Sequence, residues 1–112
     1  MENKLHILWT NDNVLTAEHM LMLYATKTME FKLWDEITII IWGATSKLVA
    51  ENEHIQKLVA DAQKAGVMFT SCVKCAEDLG TTQALLDQGI ELIAWGKPLT
   101  ELIKNKNHLI TI

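Results

Sequence analysis

Apolar positions along this chain alternate between two spacings. Short, nearly unbroken apolar runs are separated by longer stretches in which apolar residues return every three or four positions. The first run, Leu5-His6-Ile7-Leu8-Trp9, predicts a strand. The turn-forming Thr10-Asn11-Asp12-Asn13 then leads into a helix predicted from about Thr16 to Phe31, with Thr16 as its N-cap. Ile37 to Trp42 is β-branched almost throughout and carries no charge, the pattern of a central strand covered on both faces. After Gly43 a second helical region reaches Ala65, with Ile55, Leu58, Val59 and Ala62 on one face and Gly66 as its left-handed terminator. Val67 to Ser71 predicts a third strand, and a third helix runs from the cysteines to Gln88. Gly89 then hands over to a fourth strand, Ile90 to Trp95. Gly96-Lys97-Pro98 opens a short helix carrying Leu99, Leu102 and Ile103 on one face, and His108 to Ile112 closes the series.

Five strands alternating with four helices predict an α/β fold. The expected form is a three-layer α/β/α sandwich on a five-stranded, mainly parallel sheet, flavodoxin-like in general architecture, with right-handed crossovers. No linker, low-complexity tract or repeat interrupts the pattern, so residues 1–112 read as a single domain. Strand order is not encoded in this periodicity. Whatever the order, parallel strands place their carboxyl ends on one rim, where ligands of open α/β sheets bind. That rim collects Trp9 with Asn11, Asp12 and Asn13, then Trp42 and Gly43, the segment from Cys72 to Cys75, and Trp95 with Gly96, Lys97 and Pro98. Three of the four tryptophans end strands there.

Composition narrows the choice of function. With 49% hydrophobic residues in 112, the chain buries a core without a disulfide or metal staple. Ten lysines, no arginine and fourteen acidic residues give a net charge of −4 with no basic block, which argues against nucleic-acid partners. No segment approaches the roughly 18 apolar residues of a membrane span. Met1-Glu2-Asn3-Lys4 runs straight into the first strand with no signal-like apolar region, so no membrane association and a cytoplasmic location are expected.

In a reducing compartment the chain's two cysteines, in Cys72-Val73-Lys74-Cys75, read as reactive thiols or metal ligands rather than as a structural disulfide. They fall where the third strand meets the third helix, and a helix's first turn favours thiolate over thiol. Lys74 adds positive charge, while Glu77 and Asp78 act against it. Zinc would need two further ligands from distant segments, and no metal or other cofactor is expected. A thioredoxin-type pair would follow a different strand and carry Trp-Cys-Gly-Pro surroundings, whereas the single proline here is Pro98. The plain alternative is two small buried hydrophobic residues. Asn11, Asp12 and Asn13 likewise suit turn chemistry and helix capping first and a pocket wall second. Tryptophans at strand ends cap a core or meet a neighbouring subunit more often than they wall a substrate. His19 is a solvated helix residue near the rim, and His6, His54 and His108 read as structural or exposed.

The element order, the segment Gly66-Val67-Met68-Phe69-Thr70-Ser71-Cys72, Ala76 and Gly80 downstream of it, and the ending from Gly89-Ile90 to Gly96-Lys97-Pro98-Leu99 resemble the DsrE/DsrF-like family across nearly the whole chain. That family includes the sulfur-relay subunits DsrE and TusD and the small protein YchN. The resemblance implies a parallel α/β sandwich and assembly into homo- or hetero-oligomers, trimers or hexamers. It also implies, on Cys72 by position, a cysteine that accepts sulfane sulfur as a persulfide. Relay subunits carry small residues after that cysteine, so Cys75 is a departure from the pattern. The expectation is a sulfur-relay or sulfur-handling protein with uncertain enzymatic turnover. Cys72 would carry the sulfur and Cys75 would be a resolving or supporting thiol. Lys74 would steady the anionic sulfur, and Trp9, Trp42 and Trp95 would shield it if they face the pocket, beside Asn11, Asp12, Gly43 and Gly96. The expected partners are sulfur donors and acceptors, proteins or small sulfur compounds. The alternatives are an oligomeric small-ligand-binding module and a dithiol–disulfide oxidoreductase using Cys72 and Cys75.

Overall fold

The computed structural model describes residues 2–112. Five strands, β1 (Lys4–Trp9), β2 (Glu36–Ile41), β3 (Met68–Cys72), β4 (Glu91–Ile93) and β5 (Leu109–Thr111), form one sheet in the order β4-β3-β2-β1-β5. Every neighbouring pair is parallel. From β1 to β4 each crossover moves one strand in the same direction, so right-handed connections put all the helices up to β4 on one face. The last crossover returns from one edge of the sheet to the other, which sends its helix to the opposite face. The result is the expected three-layer α/β/α sandwich with unequal layers.

Side-chain alternation records the same asymmetry. Leu5, Ile7 and Trp9 pair in register with Ile37, Ile39 and Ile41, and all six lie in the main core beneath the larger helical layer. The intervening residues, His6, Leu8, Thr38, Ile40, Thr70 and Cys72, face the other way. Ile39, Ile40 and Ile41 are all fully buried, which explains why the middle of β2 shows no polar alternation in sequence.

The first helical segment begins at α1 (Val14–Thr16), passes through a π-helical stretch (Ala17–Met22) that buries Ala17, Leu21 and Met22, and continues as α2 (Leu23–Glu30). Its N-cap is Asn13, whose side chain accepts the Thr16 N–H at 2.9 Å, in place of the predicted Thr16. The second helical region is two helices, α3 (Ala44–Glu51) and α4 (Glu53–Lys64). Asn52 leaves the helical conformation between them and caps α4 through the Ile55 N–H at 3.0 Å. Gly66 closes α4 as predicted: its N–H bonds to the Gln63 carbonyl and the Val67 N–H to the Ala62 carbonyl, both at 3.0 Å.

The predicted third helix is also two, α5 (Val73–Leu79) and α6 (Thr82–Leu86). The same closure at Gly80, with the Thr81 N–H on the Ala76 carbonyl, ends α5 before a second helix starts. Strand β4 stops at Ile93 rather than at Trp95, because Trp95 has already turned into the N-cap of α7 (Gly96–Lys104). No helix among the described residues is long and apolar enough to cross a membrane.

Candidate functional site

Cys72 is the last residue of β3 and the N-cap residue of α5, so the strand's carboxyl end and the helix's first turn meet at its sulfur. Both cysteines are free thiols. Their environments differ: Cys72 is buried at 7% exposure, whereas Cys75, one turn into α5, is half-buried. Three residues apart across the N-cap and first turn of α5, the two side chains are neighbours. Burial pushes the Cys75 thiol above its ordinary pKa, and the neighbouring Cys72 and Asp78 push the same way. The backbone N–H of Gly43 acts against them by favouring the thiolate.

Gly43 reaches Cys75 because of its backbone. It stands at φ +71°, ψ −131°, a conformation that an L side chain resists, and a Cβ built there would meet no atom within 4 Å. The space in front of Gly43 is therefore open, and the strain alone selects glycine. Its surroundings are held by buried hydroxyls. Thr45 donates to the Trp9 carbonyl at 2.8 Å and accepts the Trp42 N–H at 3.2 Å, fixing the turn after β2 against the end of β1. Ser46, at the start of α3, shares a hydrogen bond with Thr81, at the junction of α5 and α6. That bond ties the Gly43 turn to the helix carrying Cys75. Next to Cys72 on the core face, the Ser71 hydroxyl is buried with no hydrogen-bonding partner. These hydroxyls were not among the candidates read from sequence, since serine and threonine at helix starts are common and their pairing across elements leaves no local signal.

The remaining candidates fall into separate groups. Trp9 is fully buried in the main core and donates its indole N–H to the Asn11 carbonyl at 2.9 Å. Asn11 accepts the Asn13 N–H, so Asn11 and Asn13 perform turn and capping chemistry, while Asp12 stays exposed. Trp42 is half-buried at the end of β2, beside Gly43. Trp95 folds back beneath the sheet, donates to the Thr70 hydroxyl at 3.0 Å and meets His6 edge-on at 6.2 Å. Gly96 is exposed as the first residue of α7, and its carbonyl accepts the Thr100 hydroxyl. Lys74 points to solvent and pairs with Asp78 at 3.2 Å, which raises its pKa. The structure thus brings Cys72, Cys75 and Gly43 together, leaves Trp42 beside Gly43 and Asp12 exposed in the turn after β1, buries Trp9 in the main core, and puts Trp95 on the sheet face that carries Thr70 and Cys72.

Between the turn after β1 and α3 and α5 runs a groove of about 450 Å³ lined by Asp12, Ala44, Lys47, Leu48 and Leu79, among others, with neither cysteine in its wall. Leu79 lies four residues after Cys75 and shares its helical face, linking groove and thiol. No cluster of three or more His, Cys, Asp or Glu side chains among the described residues is placed to hold a metal ion.

A parallel α/β sheet with a thiol pair on its carboxyl rim defines the class of protein. The same fold is found in the crystal structure of the YchN protein from E. coli, with a TM-score of 0.71 over the full length of both chains at 14% sequence identity. A solved conserved protein of unknown function from Bacteroides thetaiotaomicron is far more similar. It is 36% identical, the match covers 98% of this chain and 95% of that one, and the TM-score is 0.95. The chain belongs to the same family as that Bacteroides protein. No family model and no curated protein matches it.

Proposed function

We propose that this protein handles sulfane sulfur, carrying it as a persulfide on Cys72 and passing it to an acceptor. The observation that carries this reading is the adjacency of two free cysteines at the carboxyl rim of a parallel sheet. One of them sits out of solvent, where a hydropersulfide is protected from bulk reductants. The fold shared with YchN and the DsrE/DsrF-like pattern around Cys72 support it. Gly43 supplies a backbone donor for anionic sulfur beside the pair, and Lys74, paired with Asp78 at the surface, adds positive charge to the same turn. The donors and acceptors are small sulfur compounds or proteins, and the working form is a homo-oligomer.

The same adjacency favours a second reading, reversible Cys72–Cys75 oxidation in a dithiol–disulfide oxidoreductase. Peptide mass spectrometry of reduced protein treated with polysulfide separates the two. The sulfur-carrier reading predicts an extra sulfur on the Cys72 peptide, absent from Cys72→Ser. A Cys72–Cys75 disulfide with no retained sulfur would favour the oxidoreductase, and a wild-type Cys72 peptide that never gains sulfur would remove the carrier reading.

A further inference from the structure

Resting on the sulfur-carrier reading, we propose that Cys75 is the entry thiol: it takes sulfane sulfur from a donor in the rim groove and hands it to the buried Cys72. Four observations converge on this assignment. Cys72 is nearly closed to solvent, whereas Cys75 is half-buried. The two cysteines stand three residues apart across the N-cap and first turn of α5, which makes their side chains neighbours, so sulfur passes between them without leaving the site. Cys75 shares a face of α5 with Leu79, which is 46% exposed and lines the rim groove. The space in front of Gly43, whose N–H faces Cys75, is empty.

The chemistry closes without an oxidant. The Cys75 thiolate attacks the outer sulfur of a hydropersulfide R–S–SH. The bond between the two donor sulfurs breaks, R–S⁻ leaves and takes up the proton that Cys75 gave away, and Cys75 becomes Cys75–S–SH. The Cys72 thiolate then attacks the same outer sulfur. A new sulfur–sulfur bond forms on Cys72 as the one on Cys75 breaks, and Cys75 departs as thiolate and recovers the proton lost by Cys72. Each step exchanges one sulfur–sulfur bond for another, so the donor's sulfane sulfur keeps its oxidation state throughout. Cys75 is thereby a port and Cys72 a store, which accounts for a second thiol where a simple carrier needs one.

The test is a rapid-quench time course of the reduced protein with glutathione persulfide, read by peptide mass spectrometry, on the wild type, Cys75→Ser, Cys75→Ala and Cys72→Ser. The extra sulfur is expected on the Cys75 peptide first and on the Cys72 peptide later. Both Cys75 variants should load Cys72 more slowly by about tenfold or more, and Cys72→Ser should load Cys75 at the wild-type initial rate. Iodoacetamide labelling of the unmodified wild type gives a reading independent of any variant's folding, with Cys75 expected to react before Cys72. Wild-type loading of Cys72 in Cys75→Ala, or prior alkylation of Cys72, overturns the entry role and leaves the carrier reading intact. Absence of extra sulfur from both thiols of the wild type overturns the carrier reading and this inference with it.

Discussion

At Cys75 burial, joined by Cys72 and Asp78, wins over the opposing Gly43 N–H, leaving the thiol's pKa raised. A raised pKa means little thiolate at neutral pH, so alkylation of Cys75 should speed up by about tenfold per pH unit until the pKa is passed. Gly43→Ala tests the opposing influence. Its backbone conformation, at positive φ and outside the left-handed helical well, costs an L residue about 1–3 kcal/mol, with no steric conflict added by the methyl group. Relaxation of the turn also moves the N–H off the sulfur. We therefore expect a loss of stability of that order in urea unfolding, together with a Cys75 alkylation profile displaced to higher pH. A stability loss with an unmoved profile would show that Gly43 serves the turn alone. Tertiary placement, which sequence does not express, decides these points. The cysteines and Gly43 could be assigned to the rim because they follow strands. That Lys74 would turn to Asp78 and a backbone N–H would face Cys75 depends on how α3 docks on α5.

Several helix ends in this chain repeat one closure, with a residue one to three positions past the helix at positive φ. Gly66, Gly80 and Gly89 take that conformation without strain, but Lys32 and Lys106 occupy it at φ 58° and 54°. Lys32→Gly should relieve the strain at some cost in unfolded-state entropy, for a net gain of about 0.5–1 kcal/mol measured by urea unfolding. An unchanged or lower midpoint would count against it. These closures also mark where sequence reading failed. The helix after the cysteines was read as continuous through Gly80, since the apolar spacing resumes on the far side, and the helical region after Gly43 concealed the break at Asn52. The glycine-then-strand handovers at Gly66 and Gly89 were legible because the chemistry of the stop is local. The π-helical stretch was not, since its extra residue per turn preserves an apolar face.

The whole molecule is built on an asymmetric sheet, and its two faces differ in kind. Element order and the parallel sheet followed from periodicity. The order β4-β3-β2-β1-β5 did not, because pairing between strands distant in sequence leaves no trace in either strand. The thinner layer holds His6 half-buried against Trp95, and burial there lowers its pKa, with Lys4 acting in the same direction and Glu36 against it. The unfolded chain then binds a proton near pH 6.5 that the folded protein takes up only at lower pH, so this group withdraws stability as pH falls below about 6.5. His6→Asn should flatten the acid side of a plot of thermal midpoint against pH. An unchanged slope would assign that dependence to other groups.

The central claim, that Cys72 is a carrier and not a dead end, is tested most directly by loading the protein with isotope-labelled sulfane sulfur, removing the donor and adding an acceptor thiol. The account predicts that labelled sulfur leaves the Cys72 peptide and appears on the acceptor in equal amount. Label that stays on Cys72, or label that reaches the acceptor with none lost from the Cys72 peptide, would contradict it.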